Sequence, residues 1–144
     1  MKLKIKRIDH TLPLPEYKTQ GAVAFDLYAR EKAIISAHGW YRVPSNFIME
    51  IPEGHALVIS ARSSLAKHFP GLFLANGIGL IDCDYRGPND EIAVSLYNFS
   101  DTEHTIEKGT RLAQAFVVKT DRCEIEEIQE ITSNDRGGFG STGK

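Results

Sequence analysis

Apolar positions in this chain recur at every second residue in short runs, and no long segment keeps the period of a helix. Leu3 and Ile5 alternate with Lys2, Lys4 and Lys6, as in a half-buried strand, and Pro13 and Pro15 then hold the connection extended. Val23, Phe25 and Leu27 share one face of a second strand, with Ala24, Asp26 and Tyr28 opposite. Further strands are expected at Ala33–Ile35, Trp40–Val43, Phe47–Ile51, Ala56–Ser60, Glu91–Tyr97, Thr105–Glu107, Leu112–Val118 and Glu124–Ile128. Turn signals such as Ala37-His38-Gly39, Pro52-Glu53-Gly54 and Lys108-Gly109 separate them. The pattern predicts an all-β sandwich or barrel. Its one short helix starts at Ser63 or Ser64 and runs to about His68.

From Thr132 the pattern stops. The tail is rich in glycine and polar residues, and its one large apolar side chain, Phe139, cannot pack a core. The expected organisation is therefore a barrel over residues 1–131 and a flexible C-terminal lid segment over 132–144 that is not an independent domain.

Composition adds bounds. The chain has 144 residues, 42% hydrophobic and 25% charged, which matches one soluble globular domain. A net charge of -2 gives no electrostatic reason to expect nucleic acid or a membrane surface as partner. The N-terminal residues do not lead into an apolar run of signal-peptide length, and no membrane span is read. Cys83 and Cys123 stand at no metal-ligand spacing, so reduced thiols in a cytoplasmic compartment are expected. His10, His38, His55, His68 and His104 are scattered and suit surface or structural roles.

Four places carry candidate chemistry. Asp26 interrupts an apolar strand, and burying an acid requires a partner, either a cation such as a hydrated metal or an arginine in a salt bridge. Arg62-Ser63-Ser64 joins a guanidinium, two hydroxyls and the start of a helix, which suits phosphate or, equally, a cap and a surface ion pair. Asn76 to Gly87 holds Gly77, Gly79 and Gly87, whose backbone allows close approach to a planar ligand. Asn76 can offer a donor and an acceptor together, Asp82 can orient a water, and Tyr85 can present a flat face to a sugar or base; turn and core roles are the alternatives. Gln114 shares the alternation of Leu112, Phe116 and Val118, so a polar group among apolar ones needs a partner.

Five ordered segments resemble the motifs of the trimeric dUTP diphosphatase (dUTPase) family: Ala24 to Ala29, Arg62 to Ala66, Asn76 to Gly87, Gly109 to Gln114, and Arg136 to Gly143. The resemblance implies a jelly roll that forms a homotrimer with shared active sites and hydrolyses dUTP to dUMP and pyrophosphate with Mg2+. It also implies a role in limiting uracil incorporation into DNA and supplying dUMP. It implies that Asp82 positions and activates the attacking water, that Tyr85 stacks on the deoxyribose, and that Asn76 and nearby backbone, with Gly77, read uracil within a base-reading hairpin from Asn76 to Gly87. Arg62, Ser63, Ser64 and Gln114 would hold phosphates, and Asp26 would contact magnesium through water. Phe139 of another subunit would cover the uracil while Arg136 meets the terminal phosphate. Two features depart from the family pattern: Arg136 is followed directly by Gly-Gly-Phe, two residues closer than usual, and Ser64 stands where glycine is common.

Arg62-Ser63-Ser64-Leu65-Ala66 also resembles the related dCTP deaminases, but Ser95 occupies the position of their catalytic glutamate. A non-catalytic nucleotide-binding trimer is the remaining alternative.

Overall fold

The computed structural model describes residues 1–137. Eleven strands and one short helix follow in order: β1 Lys4–Arg7, β2 Phe25–Tyr28, β3 Ala33–Ile35, β4 Trp40–Pro44, β5 Phe47–Glu50, β6 His55–Ala61, α1 Leu65–His68, β7 Leu72–Leu74, β8 Gly79–Ile81, β9 Ala93–Asn98, β10 His104–Ile106 and β11 Arg111–Lys119. The all-β class holds. The strands form antiparallel sheets in the orders β2-β11-β6-β8 and β4-β9-β7, with the pairs β1-β5 and β10-β3 closing the ends.

Inward side chains of both larger sheets make one core. Leu27, Leu57, Ile59, Leu72, Val94, Leu96 and Leu112 are buried in it, together with Phe47, Met49 and Ile51 from the β5 side. Burial of such side chains contributes about 1.5–3 kcal/mol each and supplies most of the drive to fold. A polar network fixes the corner where β5 begins. Asn46, at φ 78°, accepts from the Asp9 amide at 2.6 Å, donates to the Asp9 carbonyl at 3.0 Å, and gives its own amide to Glu91 at 2.8 Å. Arg30 closes this network on Glu91 at 2.8 Å.

Three expectations are corrected. No strand forms at Glu124–Ile128: Ile125 and Ile128 are exposed, and no edge among the described residues pairs with them. The segment Asn76–Gly87 is not a hairpin: β7 pairs only with β9 and β8 only with β6, so consecutive strands end up at the edges of different sheets. Gln114 does not share the core-facing side of β11 with Leu112. A bulge between Arg111 and Ala113 shifts the alternation, and Ala113, Ala115 and Val117 face the core after it.

Candidate active site

β8 and the turn before it are shaped by two glycines. Gly77 sits at φ +70°, a conformation costly for other residues, and reverses the chain between the two sheets. A Cβ on Gly79 would meet the Ile59 side chain at 3.0 Å, so glycine lets β8 lie close on β6. Among the described residues the outer edges of β7 and β8 carry no partner strand, which leaves their backbone donors and acceptors free. Asn76 and Asp82 are both exposed and are separated in the chain by Gly77-Ile78 and the three residues of β8.

Asp82 and Tyr85 line one pocket of about 200 Å³ with Arg42, Leu80, Ile81 and Ala93. The Asp82 carboxylate is exposed and joins no ion pair among the described residues. Tyr85 is half-buried, and its hydroxyl donates to the Glu91 carbonyl at 3.4 Å, which steadies the ring. An unpaired carboxylate beside an aromatic face is suited to a sugar and a water.

The second cluster lies at the far end of the same sheet. Asp26, only 8% exposed, accepts from Arg62 Nε at 2.7 Å and from Arg111 at 3.3 Å, one guanidinium on each oxygen. The open question of its partner is answered by two arginines. Arg62 also donates to Ser64 Oγ at 3.2 Å. Ser64 is the N-cap residue of α1 but makes no side-chain cap, so its hydroxyl serves the arginine instead. Ser63 is exposed alongside. Gln114 pairs across the sheet with both Asp26 and Ser60, and its amide donates to the Ala61 carbonyl at 3.1 Å. Sequence reasoning placed Arg111 in a motif without giving it a task; its hold on Asp26 is read only from the register of β11 on β2.

The two clusters do not meet within the chain. Ile81 lies opposite Leu57, so Asp82 follows beside Ala56, whereas Arg62 follows the other end of β6. Five residues of strand lie between Ala56 and Arg62, so six steps separate them, roughly 20 Å. Arg136 is exposed within the strandless segment after β11, and Phe139 lies outside the described residues.

Among the described residues, no group of three or more His, Cys, Asp or Glu side chains converges as a metal site. Asp26 has both oxygens taken by guanidinium groups, so it does not fit a direct metal ligand. Its remaining lone pairs fit a water of a hydrated Mg2+ that is held by phosphate oxygens.

The model of the dUTPase family matches residues 10–143. The chain belongs to the dUTPase family. Among its curated relatives, the deoxyuridine 5'-triphosphate nucleotidohydrolase of Nautilia profundicola is 41% identical and that of Anaplasma marginale 40%, each alignment covering at least 99% of both chains. Solved dUTPase structures share the architecture. That of Streptococcus mutans superposes with a TM-score of 0.75 at 28% identity over 83% of this chain and 98% of that one. The Staphylococcus bacteriophage 80alpha dUTPase, with dUpNHpp, gives 0.83 at 20% identity over 99% and 98%, a likeness of fold. A third, from phage phi11 of S. aureus, carries a structural Mg(II) ion.

Proposed function

We propose how this chain carries out the hydrolysis of dUTP to dUMP and pyrophosphate, the reaction that its family membership assigns to it. Asp82 accepts a proton from a water as that water attacks the α-phosphorus. The bond from the α-phosphorus to the bridging oxygen breaks, and pyrophosphate leaves with the electron pair. Tyr85 packs against the deoxyribose and leaves no room for a ribose 2′-hydroxyl. Asn76, Gly77 and the free edges of β7 and β8 read the uracil, whose two carbonyls and N–H complement peptide groups. The observation that carries this reading is the pocket in which an unpaired Asp82 and the Tyr85 ring stand together.

Arg62, Ser63, Ser64 and Gln114 hold the phosphate chain, with Asp26 keeping Arg62 in place; Asp26 would also be the residue that holds a hydrated magnesium ion, through water. Magnesium, when bound, neutralises phosphate charge and favours departure of pyrophosphate. The separation of Asp82 and Arg62 along β6 supports a site shared between copies, which in this family's pattern is a homotrimer, since a general base must act within about 3 Å of the attacking water. One copy's Arg62 cluster then completes another copy's Asp82 pocket. The segment 132–144 closes the assembled site as a lid, with Arg136 on the terminal phosphate and Phe139 over the base. The enzyme works in the cytoplasm, where it limits uracil incorporation into DNA and supplies dUMP. No helix among the described residues is long and apolar enough to cross a membrane.

Product counting tests the activity. Equal amounts of dUMP and pyrophosphate are expected from dUTP; release of ammonia from dCTP, or binding of nucleotide without turnover, would overturn it. Light scattering tests the assembly, for which a monomeric mass in active enzyme is incompatible with shared sites.

A further inference from the structure

The segment that follows Asp82 borders two cavities. Tyr85 lines the pocket of Asp82, whereas Arg86 and Pro88 line a separate cavity of about 230 Å³ with Lys4 and Lys6 of β1 and Ile48 and Glu50 of β5. Lys6, Ile48 and Pro88 also line a neighbouring cavity of about 510 Å³, so the two join into one groove that reaches Arg7 and Glu91. The turn at Pro88 is closed by the protein itself: the Gly87 amide donates to the Asp90 carboxylate at 2.6 Å, and the Asp90 amide to the Gly87 carbonyl at 3.1 Å. Both acids of the groove are engaged. Lys4 holds Glu50 at 2.7 Å, and Lys4 first, then Arg86, keep that carboxyl below its ordinary range. Arg30 holds Glu91 at 2.8 Å, and the Asn46 amide donates to the same carboxylate. Arg7 gives its guanidinium to the Leu12 carbonyl at 2.9 Å. Lys6 and Arg86 remain, exposed and in no ion pair among the described residues.

We propose that this groove is an anion site in which Lys6 and Arg86 hold a chain of two or more phosphate groups. The two cations come from different elements, β1 and the segment after β8, and share a floor made by Pro88 and Ile48. Ile48 lies opposite Lys6 in the β1–β5 register and is only 6% exposed. Charges beside an apolar floor are screened less than charges in open water. The Arg86 guanidinium presents a planar fork that matches two phosphate oxygens, and the Lys6 ammonium acts as a point charge. Two separated cations call for an anion with more than one charged group. Lys4 lies two residues from Lys6 on the same exposed side of β1, about 7 Å along the strand, and extends the run. The chain as a whole carries a net charge of -2, so the cation excess is local and does not suit a long nucleic acid. Pyrophosphate, which the family's reaction releases, is the smallest ligand of this kind. The site does not depend on where the substrate binds.

The test first titrates the full-length protein in a calorimeter with a non-hydrolysable dUTP analogue, and then adds pyrophosphate. One analogue per chain followed by saturable uptake of one pyrophosphate is expected, and assigns the groove to the free anion. Two analogues per chain, with the second lost in Lys6→Met, would assign it to the phosphate tail of a nucleotide and support the same chemistry. Lys6→Met and Arg86→Met, which keep the stems and remove the charges, should each weaken uptake about tenfold, the effect of one hydrogen bond between charged groups. Arg62→Met, which acts in the other cluster, should leave it unchanged. No saturable uptake beyond the substrate site, or parental affinity in the Lys6 and Arg86 variants, would overturn the proposal. So would a groove that takes a glutamate-rich peptide and refuses pyrophosphate. Both side chains are exposed, so their variants should melt with the parent. If the analogue does not bind, the functional reading falls, and titration of the Arg62→Met protein with pyrophosphate still decides the groove.

Discussion

Asp26 and Asp82 belong to the same four-stranded sheet, one within β2 and one just beyond β8, and their surroundings are opposite. Asp26 is buried with an arginine on each oxygen, whereas Asp82 is exposed and free of ion pairs among the described residues. A carboxylate so fully engaged serves as a brace for Arg62. An unengaged one is free to face a water. The difference separates an acid that braces its neighbours from the one proposed here as the base, although both are aspartates flanked by apolar residues in the sequence.

The largest effect should come from removing the free acid. Asp82→Asn is expected to retain nucleotide binding while turnover falls on the order of 10²- to 10⁴-fold, the usual contribution of a positioned base; single-turnover assays beside calorimetry measure both, and near-normal turnover would erase the distinction from Asp26. The braced side should fail differently. Arg62→Met leaves Asp26 with Arg111 alone in a mostly buried setting, and stability should drop by about 2 kcal/mol, less than for a fully buried pair because both groups keep some solvent contact. Urea titration reads this directly; an unchanged midpoint would show that Asp26 has no need of Arg62.

Removing residues 133–144 should lower activity and leave the melting temperature close to the parent's, since the described part of this segment is exposed and strandless. A collapse in stability would make the segment structural. The smallest effect concerns a third aspartate, Asp9, which is purely architectural. Lys108 at 2.6 Å, and then the Thr11 hydroxyl and amide, hold its carboxyl well below the usual carboxylate range. A depressed folded-state pKa gives stability that is present above the ordinary value of about 4 and is lost as pH falls toward the folded value. Asp9→Asn should therefore melt below the parent at pH 6, with the gap closing below about pH 4.

Much of the barrel was legible because two-residue alternation marks a half-buried strand wherever a partner edge exists. Glu124–Ile128 shows the limit of that rule: the alternation is there, but no strand among the described residues pairs with it. Gln114 shows another, because one extra residue at the bulge after Arg111 reverses which side faces inward, and counting by twos cannot detect it. β7 and β8 escaped notice since three residues beside glycines carry too little pattern. The carboxylate, ring and carboxamide between Asn76 and Tyr85 were readable by their chemistry and their ordered companions. Lys6 and Arg86 were not, since exposed cations on separate elements look like any solvated charge until the cavity between them is known.

The unpaired edges of β7 and β8 carry a hazard as well as a use. An exposed edge invites a strand from any passing chain, and proteins commonly blunt it by keeping it short. Here each edge is only three residues long. That length offers the few hydrogen-bonding positions a single base can answer, and too few to hold an extended peptide. Brevity thus sorts small planar visitors from polypeptides, and a bound nucleotide would guard the protein against its own kind.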